Sequence, residues 1–261
     1  MIRIGINGAG GRMGQRVIAL AATDETFKIV AAIDTETHPQ IGCDAGETAG
    51  ISNIGVPITA DWKQEIDIMI DFSSPKCTET LVQRCLDDRI ALVFATTGIT
   101  PDQYDTLYFA GAHIPVLYSP SMSTTVNMAM KLCQLTARAL KDKNTDVEIL
   151  EKHHRFKTDA PSGTAMKFAS IILKEMGYTL FQYGRNGNIG ERPRNEIGFH
   201  SIRIGDNPGE HTIMFGLLGE TLEITVKASN RDCYAKGALA AAKFLFGKRH
   251  GFYTMDNVMG L

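Results

Sequence analysis

The sequence lacks the features that mark several classes of protein. Its 27 basic and 29 acidic residues give a net charge of -2, which argues against a nucleic-acid binder that depends on bulk positive charge. The longest apolar runs, such as residues 90–95, are far too short to cross a bilayer. No charged start with a long apolar core and a small-residue cleavage site opens the chain, so we expect no secretory signal and a cytoplasmic protein.

Cysteine is sparse, and its placement excludes two further classes. No two cysteines have C-x-x-C spacing, so the sequence indicates neither a zinc site nor a disulfide framework. We expect most of them to be small, buried apolar groups in a reducing cytoplasm. The five are Cys43, Cys77, Cys85, Cys133 and Cys233.

The first half of the chain alternates short apolar runs with amphipathic stretches. Between the first two runs, Met13, Val17 and Ala21 recur at helical spacing. Strands that are apolar on both faces and alternate with helices predict a doubly wound parallel sheet. The predicted strands are residues 2–6, 29–33, 66–70, 90–95 and 114–118.

The second half has a different period. A helix is predicted over residues 126–140 and a strand over 147–153. A second helix follows, on which Ala165, Phe168, Ala169, Ile172 and Met176 share one face. Strands over 198–204, 211–215 and 221–227 have few helices between them, which predicts an α+β domain with a mixed or antiparallel sheet. Residues 178–197 are rich in Gly, Asn and Arg and predict a long surface loop; the last helix is predicted over 232–246.

The first strand runs directly into NGAGGRMG at residues 7–14, with the spacing G-x-x-G-x-x-G. Glycines there permit a tight turn and let backbone N–H groups approach a pyrophosphate at a helix N-terminus. A tight turn alone would also explain them. However, the second strand ends at Asp34, close to the spacing at which a carboxylate binds a ribose diol. This context favours a Rossmann-like dinucleotide site.

The residue types favour one dinucleotide over the other. A carboxylate at Asp34 suits the free ribose hydroxyls of NADH and repels a 2′-phosphate. Thr35 adds no cation, although Arg12 could, so NADH is favoured and NADPH stays open. Two further strand ends, DFSSP at 71–75 and ATTG at 95–98, lie where ligands bind in such sheets. Helix capping by Ser74 explains the first loop equally well, whereas binding is preferred for the second.

The segment EKHHRFKTDAPSGTA at residues 151–165 concentrates polar chemistry. Four basic residues lie between positions 153 and 157, where a strand ends and a loop begins. A helix begins near residues 161–164, where N–H groups and the Thr164 hydroxyl would form a carboxylate-binding nest. A solvated basic loop is an equally good reading of these residues alone. His153 and His154 point to opposite faces of a strand, so we expect no metal.

Together, GAGGRMG, DFSSP, ATTG and HHRFKTDAPSGTA resemble the 4-hydroxy-tetrahydrodipicolinate reductase (dihydrodipicolinate reductase) family. The later stretches IRIGDNPGEHTIMF, GETLEITVKASNR and YAKGALAAAKFL continue the resemblance over nearly the whole chain. It implies an NAD(P)H-dependent oxidoreductase of lysine and diaminopimelate biosynthesis that reduces a cyclic imine dicarboxylate to tetrahydrodipicolinate. It also implies a homotetramer and three segments: a dinucleotide-binding domain (1–123), a substrate-binding and oligomerisation domain (124–230) and a return to the first domain (231–261).

The resemblance also implies roles for individual residues. His153 and Lys157 match the proton donors, and His154, Gly163 and Thr164 match residues that hold the small dicarboxylate substrate. The positions that match cofactor contacts are Gly8, Ala9, Gly10, Gly11, Arg12, Met13, Asp34, Ala95, Thr96, Thr97, Ser119, Pro120, Ser121 and Met122.

The chain departs from the family pattern around the expected nicotinamide pocket. Ala95 stands where a Gly is common, residues 118–123 replace a segment that usually contains Asn-Phe-Ser, and Thr125 replaces another common Gly. Two alternatives follow: a related dehydrogenase acting on another amino or keto dicarboxylate, or an NAD-binding sensor without turnover. The retention of His153 and Lys157 makes the sensor the weaker alternative.

Overall fold

The computed structural model describes residues 1–261 and contains two compact units. Unit 1 combines Met1–Thr124 with Arg231–Leu261, and unit 2 is Thr125–Asn230. None of the helices combines the length and the apolar character that crossing a membrane requires.

Unit 1 begins with strands and helices in alternation. The strands are Ile2–Asn7 (β1), Phe27–Ile33 (β2), Ile58–Thr59 (β3), Ile68–Asp71 (β4), Ala91–Phe94 (β5) and Pro115–Tyr118 (β6). The helices are Arg12–Ala21 (α1), Ala45–Thr48 (α2), Thr78–Asp87 (α3) and Pro101–Ala110 (α4). Local sequence fixes the start of α4, because Thr100 and Gln103 form a capping box around a proline in the first turn.

Unit 2 contains two helices and a second sheet. Its elements are Thr124–Leu140 (α5), Asp146–His153 (β7), Gly163–Met176 (α6), Leu180–Tyr183 (β8), Glu196–Arg203 (β9), Glu210–Leu217 (β10) and Glu220–Lys227 (β11). The chain then returns to unit 1 through Asp232–Leu245 (α7), Gly251–Tyr253 (β12) and Met255–Met259 (α8).

The sheet of unit 1 has seven strands in the order β12-β6-β5-β4-β1-β2-β3, and every neighbouring pair is parallel. One core packs α1 and α7 on one face through residues such as Val17 and Ala238, and a second packs α3 and α4 on the other through Leu81 and Leu107. The predicted doubly wound parallel sheet is therefore confirmed. Because all strands are parallel, their carboxyl ends share one edge.

The sheet of unit 2 has the order β11-β10-β7-β9-β8 and is mixed, as predicted. β7 and β8 run parallel to β9, whereas β10 is antiparallel to β7 and β11. Both helices pack on one face, where Cys133 of α5 and Phe168 of α6 meet Ile149, Ile213 and other apolar residues.

The structure corrects three sequence-based expectations. Residues 178–197 are not one loop, because they include β8, which pairs with β9. In the segment between these strands, Arg185 and Arg192 donate hydrogen bonds to Glu148 of β7. Ser74 makes no capping hydrogen bond from its side chain, because the chain first forms a short 3-10 turn at Pro75–Cys77. The short strands β3 and β12 were not expected at all.

Candidate active site

The glycine turn after β1 is shaped by backbone contacts that exclude larger side chains. Gly8 has a φ of +80°, and a Cβ there would lie 2.6 Å from the Phe72 carbonyl oxygen. A Cβ on Gly14 would lie 2.1 Å from the Gly8 carbonyl oxygen, so α1 packs directly on the turn. No side chain caps the N-terminus of α1, which begins after Gly11. Its first N–H groups, beside exposed Arg12, fit an anionic pyrophosphate.

The carboxylate of Asp34 is tied to this turn. It accepts hydrogen bonds from the backbone N–H groups of Gly10 (2.9 Å) and Thr35 (2.8 Å). A cavity of about 820 Å³ adjoins Gly8 and Asp34 and is also lined by Thr35 and Lys76. Its size is that of a small-molecule or cofactor site. Asp34, the residue predicted to bind the ribose, therefore lies between the glycine turn and this cavity.

A buried hydrogen-bond cluster joins the carboxyl ends of β1, β4 and β5. The carboxylate of Asp71 accepts from Asn7 Nδ2 (2.7 Å), Ser73 Oγ (2.6 Å) and Thr96 Oγ1 (2.6 Å). Burial raises the pKa of Asp71, and the three hydrogen bonds oppose that rise. The Thr96 hydroxyl is thus engaged inside the protein, whereas the neighbouring Thr97 is exposed.

The fourth predicted cofactor segment, residues 119–122, follows β6 at the same edge. Ser119 Oγ donates a hydrogen bond to the Ser121 carbonyl oxygen (2.6 Å), and Met122 is buried in the core. A Cβ on Gly237 of α7 would lie 1.7 Å from the Met122 carbonyl oxygen. The absence of a side chain on Gly237 therefore allows α7 to pack directly against the backbone of this segment. Pro120 stays exposed, and Ala95, after β5, is buried.

A larger cavity, of about 1230 Å³, opens at the opposite edge of the sheet and contains none of the predicted site residues. Two arginines in it are paired: Arg3 contacts Glu65 and Asp67, and Arg84 contacts Asp88 at 2.8 Å. The predicted cofactor residues of unit 1 lie instead at the carboxyl edge, so this cavity is not part of the candidate site.

In unit 2, the end of β7 carries a buried acid–base pair. His153 Nδ1 lies in hydrogen-bond contact with Glu151 Oε2, and Arg203 donates to the other carboxylate oxygen of Glu151 at 2.8 Å. Glu151 is 1% exposed. Burial acts to raise the pKa of Glu151, but hydrogen bonds from His153, Arg203 and Ser201 outweigh it and lower that pKa to about 2.

The other predicted cations follow in the loop after β7. Lys157 Nζ pairs with the carboxylate of Asp159 at 2.7 Å. His154 is half-buried, with its ring 6.3 Å from that of exposed Phe156. Burial favours a higher pKa for Asp159, yet the ammonium group of Lys157 holds it below its ordinary value.

The N-terminus of α6 is the predicted substrate turn. Ser162 Oγ, rather than the Thr164 hydroxyl, caps the helix by accepting from the Ala165 N–H at 3.2 Å. Nothing lies within 4 Å of the position that a Cβ on exposed Gly163 would take. The turn therefore presents open backbone to a ligand, which suits a carboxylate.

A third histidine, His211 of β10, lies between His153 and the start of α6. Its Nε2 lies 3.1 Å from Ser162 Oγ, and its ring is edge-on to that of His153 at a centroid distance of 5.2 Å. Burial, aided by the charge of His153, lowers the pKa of His211 to about 4, so the ring is neutral near pH 7.

Glu151, Ser162 and His211 were not among the predicted site residues. A partial signal was present, because positions 147, 149, 151 and 153 alternate onto one face and the last two are polar within an apolar pattern. His211 could not be placed, since its position opposite Glu151 depends on the register of β10 against β7.

The parallel sheet with its glycine turn and the acid–base cluster of unit 2 together define a dinucleotide-dependent oxidoreductase. Two family models match consecutive parts of the chain: "Dihydrodipicolinate reductase, N-terminus" at residues 2–122 and "Dihydrodipicolinate reductase, C-terminus" at residues 125–259. The chain belongs to the dihydrodipicolinate reductase family, and the predicted resemblance is confirmed.

Curated relatives support this membership over the full length. A 4-hydroxy-tetrahydrodipicolinate reductase of Rhodopirellula baltica is 48% identical, covering 100% of this chain and 96% of the relative. One of Alkalilimnicola ehrlichii is 43% identical, covering 99% of each chain. Among solved structures, a dipicolinate-bound dihydrodipicolinate reductase of Paenisporosarcina sp. TG-14 is similar with a TM-score of 0.76 and 25% identity, covering 98% of this chain and 99% of that one.

Proposed function

We propose that the chain reduces 4-hydroxy-tetrahydrodipicolinate, or the dihydrodipicolinate formed from it, to tetrahydrodipicolinate in the biosynthesis of lysine and diaminopimelate. The observation that carries the proposal is the cluster at the end of β7, where His153 and Glu151 are linked through His211 to the open turn at Gly163. The activity named for full-length relatives at up to 48% identity supports the same reaction.

The cluster supplies what the reduction of a cyclic imine dicarboxylate requires. The reduced nicotinamide, when bound, supplies the hydride. Hydride addition to the conjugated imine leaves negative charge on the ring, which nearby cations stabilise and a positioned acid neutralises by protonation. We assign the proton transfer to His153 and Lys157. The N–H groups of Gly163 and Thr164, with His154, would hold the carboxylates.

For the cofactor, we propose NADH as the favoured form. The carboxylate of Asp34 beside the glycine turn can accept from ribose hydroxyls, and its negative charge repels a 2′-phosphate. We propose NADPH as a second cofactor, because two exposed cations could pair with its 2′-phosphate: Lys76, which lines the same cavity, and Arg12, which begins α1. The predicted contacts of residues 8–13, 95–97 and 119–122 complete the proposed cofactor site.

We further propose a homotetramer in the cytoplasm. In unit 2 both helices cover one face of the sheet, and the other face presents half-buried Leu150 and Met214 together with exposed Ile202. A second copy of the chain is the occupant that the family resemblance implies. All five cysteines are free thiols, which suits a reducing compartment, although only Cys85 and Cys133 are buried, fewer than the sequence predicted. Light scattering should give four times the chain mass of 28.5 kDa; a monomer would contradict the assembly.

A coupled absorbance assay tests the proposed reaction. Dihydrodipicolinate is generated in place from pyruvate and aspartate semialdehyde, and the oxidation of NADH and of NADPH is followed separately. We expect rapid oxidation that depends on this substrate, and faster turnover at low concentration of NADH than of NADPH. No oxidation by folded protein that binds NADH would reject the reaction and favour another dicarboxylate or a sensor.

A further inference from the structure

The chemistry proposed above assigns no step to the buried carboxylate of Glu151, although this group contacts the proposed proton donor. Oε2 contacts His153 Nδ1, Oε1 accepts from the Arg203 guanidinium at 2.8 Å, and Ser201 is a further partner. At 1% exposure Glu151 cannot reach a bound ligand. Its influence on the reaction is therefore indirect, and His153 is the one of these partners to which the proposed chemistry assigns a step.

From this geometry we infer that Glu151 is a positioning residue, which holds the His153 ring through Nδ1 and leaves Nε2 as the nitrogen that gives its proton to the substrate. The inference rests on the proposed function, since it takes His153 as the proton donor. It adds the residue that sets the orientation and the tautomer of the donor.

The direction of the hydrogen bond follows from the charge of the carboxylate. With its pKa lowered to about 2, Glu151 is ionised near neutral pH and can only accept. Nδ1 must then carry the hydrogen, in the neutral ring and in the imidazolium alike. When the proton on Nε2 passes to the reduced substrate, the N–H at Nδ1 stays in place and His153 is left as a neutral ring.

The groups around His153 carry charges of both signs. The Glu151 carboxylate is in direct contact with the His153 ring and also pairs with the Arg203 guanidinium, whereas Lys157 pairs with Asp159. His211, whose ring stands edge-on to that of His153, is kept neutral by burial. Removal of the charge on Glu151 should therefore loosen the orientation of the His153 ring and the preference for a hydrogen on Nδ1.

Glu151→Gln is the direct test, because it keeps the shape and removes the charge. We expect kcat to fall roughly 10- to 100-fold, a part of the 10²- to 10⁴-fold that general acid catalysis contributes. The KM for the substrate should stay the same. Glu151→Asp, which retains the charge, should recover part of the lost kcat.

A matched control is Glu175→Gln, since Glu175 is also in unit 2, pairs with Arg138 at 3.1 Å and has its pKa lowered to about 2. This change should leave kcat and the KM for the substrate as in the unaltered protein. If Glu151→Gln behaves like the control while His153→Gln is inactive, the inference about Glu151 is overturned and the proposed function survives. If His153→Gln retains full turnover, the donor assignment fails and the inference about Glu151 is overturned with it.

The tautomer of His153 gives a readout that needs no turnover. In protein labelled with ¹⁵N-histidine, with His153→Gln used to assign the signal, we expect the neutral ring to carry its hydrogen on Nδ1. Glu151→Gln should shift the ring to a mixture of tautomers. A hydrogen on Nε2 in the unaltered protein at high pH would overturn the inference, even if Glu151→Gln failed to fold.

Discussion

The carboxylate of Asp34 accepts a hydrogen bond from the backbone N–H of Gly10 at 2.9 Å, which joins the end of β2 to the turn after β1. In the proposed dinucleotide site, the acid would bind the ribose and the glycine turn would bind the pyrophosphate. Their contact means that the carboxylate is already oriented by the protein. A ligand ribose would meet an acceptor with restricted freedom, which favours binding.

Asp34→Ala should therefore weaken the binding of NADH much more than the binding of NADPH. Loss of a charged hydrogen-bond acceptor is worth roughly 1.5–3 kcal/mol, so we expect the KM for NADH to rise about tenfold or more. The KM for NADPH should change little or fall, because the negative charge near its 2′-phosphate is gone. Steady-state kinetics with each cofactor measures both. Equal effects would remove Asp34 from the ribose contact.

Gly14→Ala should destabilise unit 1. The added Cβ would lie 2.1 Å from the Gly8 carbonyl oxygen and 2.7 Å from the Ala9 Cα, and neither is a flexible side-chain end. Overpacking of this kind costs typically 1–3 kcal/mol, and the glycine turn would shift with α1. We expect a lower urea midpoint and weaker NADH binding by fluorescence titration. A variant as stable as the parent would show that α1 can move away without cost.

Gly163→Ala should leave the stability of the protein nearly unchanged but weaken the binding of the substrate. Nothing lies within 4 Å of the position of its Cβ, and alanine is well tolerated in the first turn of a helix. If the Gly163 N–H lies against a substrate carboxylate, the methyl group should raise the KM for the substrate severalfold. The urea midpoint should be unchanged. An unchanged KM would place the substrate elsewhere.

His211 should make the stability of the protein pH-dependent in a defined window. Burial lowers its pKa from 6.5 to about 4, so between these values the unfolded chain binds a proton that the folded chain does not. The contribution of His211 to the free energy of unfolding is therefore fully present above pH 6.5. It is lost as the pH falls towards 4, which lowers the free energy of unfolding by about 3 kcal/mol. His211→Gln should flatten this part of the curve of urea midpoint against pH. Parallel curves for the two proteins would contradict the assignment.

Much of the fold could be predicted because the elements of unit 1 are long or fully apolar. Strands such as β1 and β5 are buried on both faces, and α1 shows one apolar face at positions 17 and 21. β3 has two residues, too few for any period, and β8 lies in a segment whose Gly, Asn and Arg content is typical of a loop. Both form because a neighbouring strand offers them hydrogen-bonding partners.

The candidate site divides in the same way. The glycine turn, Asp34 and the segment 153–164 stand out because their residue types are unusual where they occur. Glu151 lies two residues before His153 on β7, so the alternation of the strand carried a local signal for their contact, although the residue type alone did not mark Glu151 as a partner. The contact of His211 with Ser162 joins β10 to the start of α6 and depends on the tertiary fold, which the local sequence does not encode.

Proton donation by His153 is tested by comparing the unaltered protein with His153→Ala in the coupled assay, at saturating NADH and varied substrate. If His153 gives a proton to the substrate as it is reduced, its loss should remove an interaction made in the transition state. We predict a kcat lowered about 10²-fold or more with a much smaller rise in KM. An unchanged kcat would contradict the claim.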